Sequence, residues 1–202
     1  ALFNISTAEQ VVGPSGVAAN ANLKYVQFPF NRTTFTDKCT YLLFYDQPTY
    51  TGSNSFLFGD VEDASTGYNA GLYSNGANYL FFVKNTSGTG VSVPTITAES
   101  AGSRRVLTGT YDGANLKIYL DGKKENTVAQ TGNIGTSAFS LNINRWNNAS
   151  PHNIRAYLGM VWNRVLSDAE IKSLSDNPWQ LFAPIQRNRS LPSAGAYSIT
   201  AL

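Results

Sequence analysis

Apolar and polar residues alternate along this chain in short runs broken by Gly, Asn, Asp, Ser and Pro, the form taken by an antiparallel sandwich or barrel. The runs predict strands over 23–28, 40–45, 55–59, 79–84, 91–97, 104–111, 116–121, 139–145 and 154–162. The pattern is clearest in the second half. Leu116, Ile118 and Leu120 fall on one face of a strand and Lys117 and Tyr119 on the other, as a half-buried strand requires. The steps Asp112-Gly113 and Asp121-Gly122 bracket that strand and suit turns with positive φ, which predicts a three-stranded meander from residue 104 to about 128.

A single helix is signposted, over Asp168–Asp176. Ser167-Asp168-Ala169-Glu170 has the Ser-x-x-Glu spacing of a capping box, Ile171 and Leu174 share a face, and Pro178 stands just past the end. Such a helix gains by covering an open sheet, so Leu166, Ile171 and Leu174 are expected in the core, with Trp179, Leu181 and Phe182 packing back behind them. After Pro184 the composition shifts. One domain is therefore expected over 1–182 and an extended C-terminal arm over 183–202, in which the apolar residues Tyr197, Ile199 and Leu202 could tie neighbouring copies together by strand addition.

Composition narrows the partners. The chain has 202 residues, 42% of them apolar, enough for one sizeable core. Only 14% are charged, and 20 Asn, 19 Ser and 18 Thr supply a neutral, hydrogen-bonding surface instead. A net charge of +2 with scattered signs provides no basic field for nucleic acid, and no apolar run is long enough to span a membrane. The lone Cys39 cannot close an internal disulfide and reads as a packed filler. No basic, apolar leader opens the sequence, which suggests synthesis in a cytoplasm without a signal peptide.

The candidate chemistry is thin. His152 is the only histidine, so catalytic triads lack a choice of base and a zinc site lacks ligands. No catalytic residue is assigned. Asp60-Val61-Glu62-Asp63 is the one dense acidic cluster, and it sits in a turn-like setting. Glycoside hydrolysis through Asp60 and Glu62 would need both carboxylates on one wall of a groove. No cofactor is implied. Calcium is compatible with loops rich in Asp and Asn, although no Asp-x-Asn-x-Asp-Gly loop occurs. For sugars the need is a flat aromatic face rimmed by groups that donate and accept. Asn144, Arg145, Trp146, Asn147 and His152 offer that mixture in one loop, and Tyr68 and Tyr73 form a second candidate.

Residues 105–113, 116–123, 141–143 and 162–171 together resemble the laminin G-like, concanavalin A-like jelly-roll family. The ending Leu174-Ser175-Asp176-Asn177-Pro178-Trp179-Gln180-Leu181-Phe182 is similar to the version found in bacteriophage and prophage virion proteins. The resemblance implies an all-β fold, a two-sheet antiparallel jelly roll of roughly a dozen strands. It implies binding or assembly more often than catalysis, and the first reading is a noncatalytic virion component, a capsid decoration or tail component, oligomeric, in contact with other virion proteins or its own copies, and able to touch cell-surface glycans. Two departures stand out. Many relatives have Gly where this chain has Asn144, and an acidic residue of the calcium-dependent ligand site where it has Tyr157. The alternatives are a carbohydrate- or receptor-binding module and, third, a glycan hydrolase.

Overall fold

The structure, a computed structural model, describes residues 17–19, 26–31, 37–50, 52, 54–63, 67–136, 140–144 and 153–182. Among them are twelve strands: β1 (Val17–Ala19), β2 (Val26–Asn31), β3 (Cys39–Gln47), β4 (Asn54–Asp63), β5 (Gly67–Asn75), β6 (Asn78–Lys84), β7 (Gly90–Ala98), β8 (Gly102–Tyr111), β9 (Asn115–Leu120), β10 (Lys123–Ala129), β11 (Ser140–Ile143) and β12 (Ile154–Trp162). They form two antiparallel sheets, ordered β1-β12-β3-β8-β9-β10 and β2-β11-β4-β5-β6-β7. The fold is the expected two-sheet jelly-roll sandwich with one helix, α1 (Asp168–Asp176).

Alternation decides what enters the core. Tyr41, Leu43 and Tyr45 of β3, Leu107 and Tyr111 of β8 and Leu116, Ile118 and Leu120 of β9 meet Phe58, Leu72, Tyr79, Phe81 and Val83 of the facing sheet. Cys39 belongs to this core and is fully buried. The meander turns as its Asp-Gly steps predict. Asp121 and Gly122 have φ of 52° and 79°, a two-residue hairpin turn, and Gly113 has φ of 91°.

The other face of the β3 sheet is buried too. Leu42, Phe44, Val106 and Tyr119 pack under Leu166, Ile171 and Leu174, so β3 reads as an almost unbroken apolar run. Helix α1 carries the complete capping box: the Glu170 N–H donates to Ser167 Oγ at 3.3 Å and the Ser167 N–H donates to Glu170 Oε2 at 2.8 Å. Buried Thr40 fixes the approach to this helix. Its hydroxyl donates to the Arg164 carbonyl at 2.8 Å and accepts from the Leu166 N–H at 3.0 Å.

Three features differ from the sequence expectation. The acidic cluster lies not in a turn but within β4, where Asp60 is fully buried and accepts the Ala70 N–H at 2.7 Å, beside a break in register between Gly59 and Val61. A carboxylate there substitutes for the ladder partner that the bulge removes. The Gly-rich stretch after it is strand β5. Its Gly71 lies opposite Gly59, and a Cβ on either would come within 2.6 Å of the Phe56 ring, so the ring lies against bare backbone. Packing supplies a strand where propensity is poor. Finally, Trp179, Leu181 and Phe182 pack back only in part, remaining 42%, 55% and 63% exposed.

Pro94 lies in the edge strand β7, where a missing N–H costs no ladder bond. The opposing edge, β10, ties down β7 with side chains: Thr97 donates through N–H and Oγ1 to Glu125 Oε2, both at 2.9 Å, and Asn126 Nδ2 donates to the Pro94 carbonyl at 3.1 Å. One side of the sandwich is thereby closed to further strand pairing.

Candidate functional site

Of the five loop residues proposed for sugar contact, Asn144 alone is described. It follows β11 with φ of 58°, in the left-handed region where Asn is the best substitute for Gly, and its N–H donates to the Leu57 carbonyl at 2.9 Å. That conformation is one that Gly would adopt without strain. Asn144 is 1% exposed, so it shapes the turn from inside and offers solvent no side chain. Arg145, Trp146, Asn147 and His152 lie outside the described residues, as do Tyr197, Ile199 and Leu202, the side chain of Tyr68 and that of Glu62. Tyr73 is on the outer face of β5, half-buried and stacked on Phe56 at 6.0 Å between centroids.

A fuller constellation lies on the outer face of the β3 sheet, at the end where the chain enters β12. Tyr157 is half-buried, and its hydroxyl donates to Asp46 Oδ2 at 2.8 Å. Arg155 Nη1 lies 3.5 Å from the same oxygen. The Arg104 guanidinium is 5.2 Å from the centroid of the Tyr157 ring, a cation–π contact. Tyr157 also meets Phe44 at 5.0 Å, Phe44 meets Trp179 edge-on at 6.0 Å, and Trp179 meets Phe182 at 6.2 Å. The result is a continuous aromatic strip, anchored in the sheet at Phe44 and increasingly exposed toward Phe182, with arginines and one carboxylate at its inner end. Sequence reasoning missed it. In the sequence Tyr157 stands out only as a departure from an acidic residue, and its neighbours come from three strands and the segment after α1.

The residues around Tyr157 do not fit a calcium ion. Asp46 is the single carboxylate at the spot, already engaged by a phenol and a guanidinium, whereas Ca²⁺ needs six to eight oxygen ligands. Among the described residues no three His, Cys, Asp or Glu side chains gather where they could hold a metal ion.

Among the described residues the carboxylates Asp60 and Glu99 are buried, and both have structural partners. Asp60 caps Ala70 as described. Glu99 accepts from Gln47 Nε2 at 2.9 Å and from the Ser74 hydroxyl, next to Tyr79, whose hydroxyl donates to Gln47 Oε1 at 3.2 Å. Burial pushes the Tyr79 and Tyr45 hydroxyls above their ordinary range, which keeps them neutral donors. Beyond the strip, an apolar cleft of about 350 Å³ opens between Trp162, Leu166, Leu174 and Leu181, with Arg164 and Glu170 paired at 2.7 Å on its rim. No helix among the described residues is long and apolar enough to cross a membrane.

Residues 20–172 match the family model described as the concanavalin A-like lectin/glucanases superfamily, of the laminin G type. No curated protein matches this chain. Among solved structures, the binding domain of botulinum neurotoxin DC in complex with SialylT is similar to it at 12% identity and a TM-score of 0.66, over 87% of this chain and 46% of that one. The Trypanosoma rangeli sialidase in complex with 2,3-difluorosialic acid is similar at 16% identity and a TM-score of 0.64, over 86% of this chain and 29% of that one. These likenesses are of fold, and the chain spans less than half the length of either structure.

Proposed function

Because the chain belongs to the concanavalin A-like lectin/glucanase superfamily, we propose that it is a noncatalytic recognition module built into a bacteriophage particle, as a head decoration or tail component, holding glycan on its aromatic strip. The observation that carries the reading is the strip itself. Trp179 offers an exposed ring for the apolar face of a pyranose, and Arg104, Arg155 and Asp46 supply polar groups at the other end. The buried carboxylates Asp60 and Glu99 hold the fold, which argues against their use as an acid–base pair. The particle setting rests on the resemblance of 174–182 to virion proteins. It is supported by the apolar side chains of Leu181 and Phe182, which meet solvent just before the 183–202 segment and suit a neighbouring subunit.

A second reading, a carbohydrate- or receptor-binding module outside any particle, is favoured by the neurotoxin binding domain solved with SialylT. One set of experiments separates the readings. The purified chain is printed against a glycan array beside Trp179→Ala, and purified phage particles encoding the chain are analysed by mass spectrometry. Retention on glycans that Trp179→Ala loses, with an unchanged melting temperature, is expected, together with the chain in the particles. Its absence from the particles leaves the second reading. Release of sugar from any glycan overturns the noncatalytic assignment.

A further inference from the structure

Arg104 is ordered without being neutralised. It starts from β8 and meets the ring of Tyr157 from β12, with β3 lying between the two strands; the Tyr157 ring also touches Phe44 and Asp46 of β3. A cation–π contact uses none of the guanidinium's five N–H donors in hydrogen bonds, so they remain for the fork geometry that matches two carboxylate oxygens.

The other arginines on this face are already matched. Arg155 pairs with Asp46 at 3.5 Å, and Arg164 pairs with Glu170 at 2.7 Å. Among the described residues no carboxylate pairs with Arg104. Its ring support is itself fixed, because the Tyr157 hydroxyl is tied to Asp46. Two guanidiniums thus face one carboxylate beside an aromatic strip, a local excess of positive charge on a chain whose total is only +2.

We infer that the outer face of the β3 sheet takes glycans that carry a carboxylate, with the acid group on the N–H donors of Arg104 and the sugar chain running from beside Tyr157 toward the exposed Trp179. This rests on the glycan-recognition reading above and adds the substrate class. Holding the guanidinium in place beforehand lowers the entropy cost of forming two parallel hydrogen bonds, and an unpaired cation next to a ring disfavours a second cation.

The test is an array on which each uronic- or sialic-acid glycan is printed beside the same glycan with its carboxyl reduced to an alcohol, probed with the full chain and with Arg104→Lys. Dextran sulfate is included as a carboxyl-free polyanion. The acid forms should bind the wild type on the order of tenfold more tightly than their reduced partners. Arg104→Lys keeps the charge but loses the planar fork, so it should weaken the acid forms more than the reduced forms and bring that ratio toward one, with the melting temperature unchanged. Equal binding of acid and reduced forms overturns this inference and leaves glycan recognition standing. Dextran sulfate binding as tight as the acid glycans, unaffected by Arg104→Lys, also overturns it, since charge alone then suffices. Binding to no glycan at all overturns both readings.

Discussion

The hydroxyl of Tyr157 donates to Asp46 Oδ2 at 2.8 Å, and this one bond fixes the ring on which the Arg104 guanidinium and the Phe44 ring both rest. Tyr157→Phe keeps the ring and removes the bond. It should cost about 1 kcal/mol of stability in chemical denaturation, and weaken glycan retention less than Tyr157→Ala, which also removes the support under Arg104.

Thr40 holds the segment leading into α1 by both of its hydroxyl bonds. Thr40→Val matches it in shape but leaves the buried Leu166 N–H and the Arg164 carbonyl without that partner. A loss of roughly 1–3 kcal/mol is expected, with amide exchange accelerating first at Leu166 and along α1.

Gly109 faces the core beneath Phe81, and a Cβ there would stand 2.2 Å from the Phe81 ring. Gly109→Ala should therefore destabilise the sandwich by at least about 1–3 kcal/mol, the usual cost of overpacking, and a Phe81→Leu second change should recover part of it. Additive losses in that double variant would count against the contact.

At Asn144 the backbone conformation sets the tolerance. Asn144→Val places a β-branched residue at φ of 58° and should cost about 1–2 kcal/mol more than Asn144→Gly, since glycine adopts that conformation without strain. Equal melting temperatures for the two variants would contradict the left-handed turn.

Glu170 titrates low. The Arg164 guanidinium, then the Ser167 donors, hold its carboxyl down to about 2 from an ordinary 4.5. A depressed carboxylate pKa contributes stability that is complete above the unfolded value and is lost as pH falls through the folded one. The start of α1 should hence loosen between about pH 4.5 and 2, and Arg164→Gln should move the Glu170 midpoint, followed by NMR, back upward.

The 183–202 segment offers a test of assembly. Its deletion should leave the sandwich folded by circular dichroism while reducing oligomerisation or incorporation into particles. Unchanged assembly would remove the arm, and with it Tyr197, Ile199 and Leu202, from the account.

What was legible in the sequence is whatever depends on near neighbours in the chain. Ser167 and Glu170 announce the helix start, Asp121-Gly122 announces a hairpin, and the alternation of Leu116, Ile118 and Leu120 announces a strand with one face in the core, because each signal acts over a few residues of backbone. Strand β5 escaped this reading since its glycines are weak strand formers alone and succeed only with the Phe56 ring laid across them. The acidic stretch misled for a related reason: nothing local distinguishes Asp60 in a solvated turn from Asp60 capping a bulge inside a sheet.

The aromatic strip with its arginines belongs wholly to the tertiary structure. Alternation tells which face of a strand a residue occupies but not which strand lies beside it. The order β12-β3-β8 brings together Tyr157, Asp46 with Phe44, and Arg104, and the chain after α1 adds Trp179. These residues are far apart along the chain, and only the pairing of non-consecutive strands, selected by burial of both faces of β3, makes them neighbours.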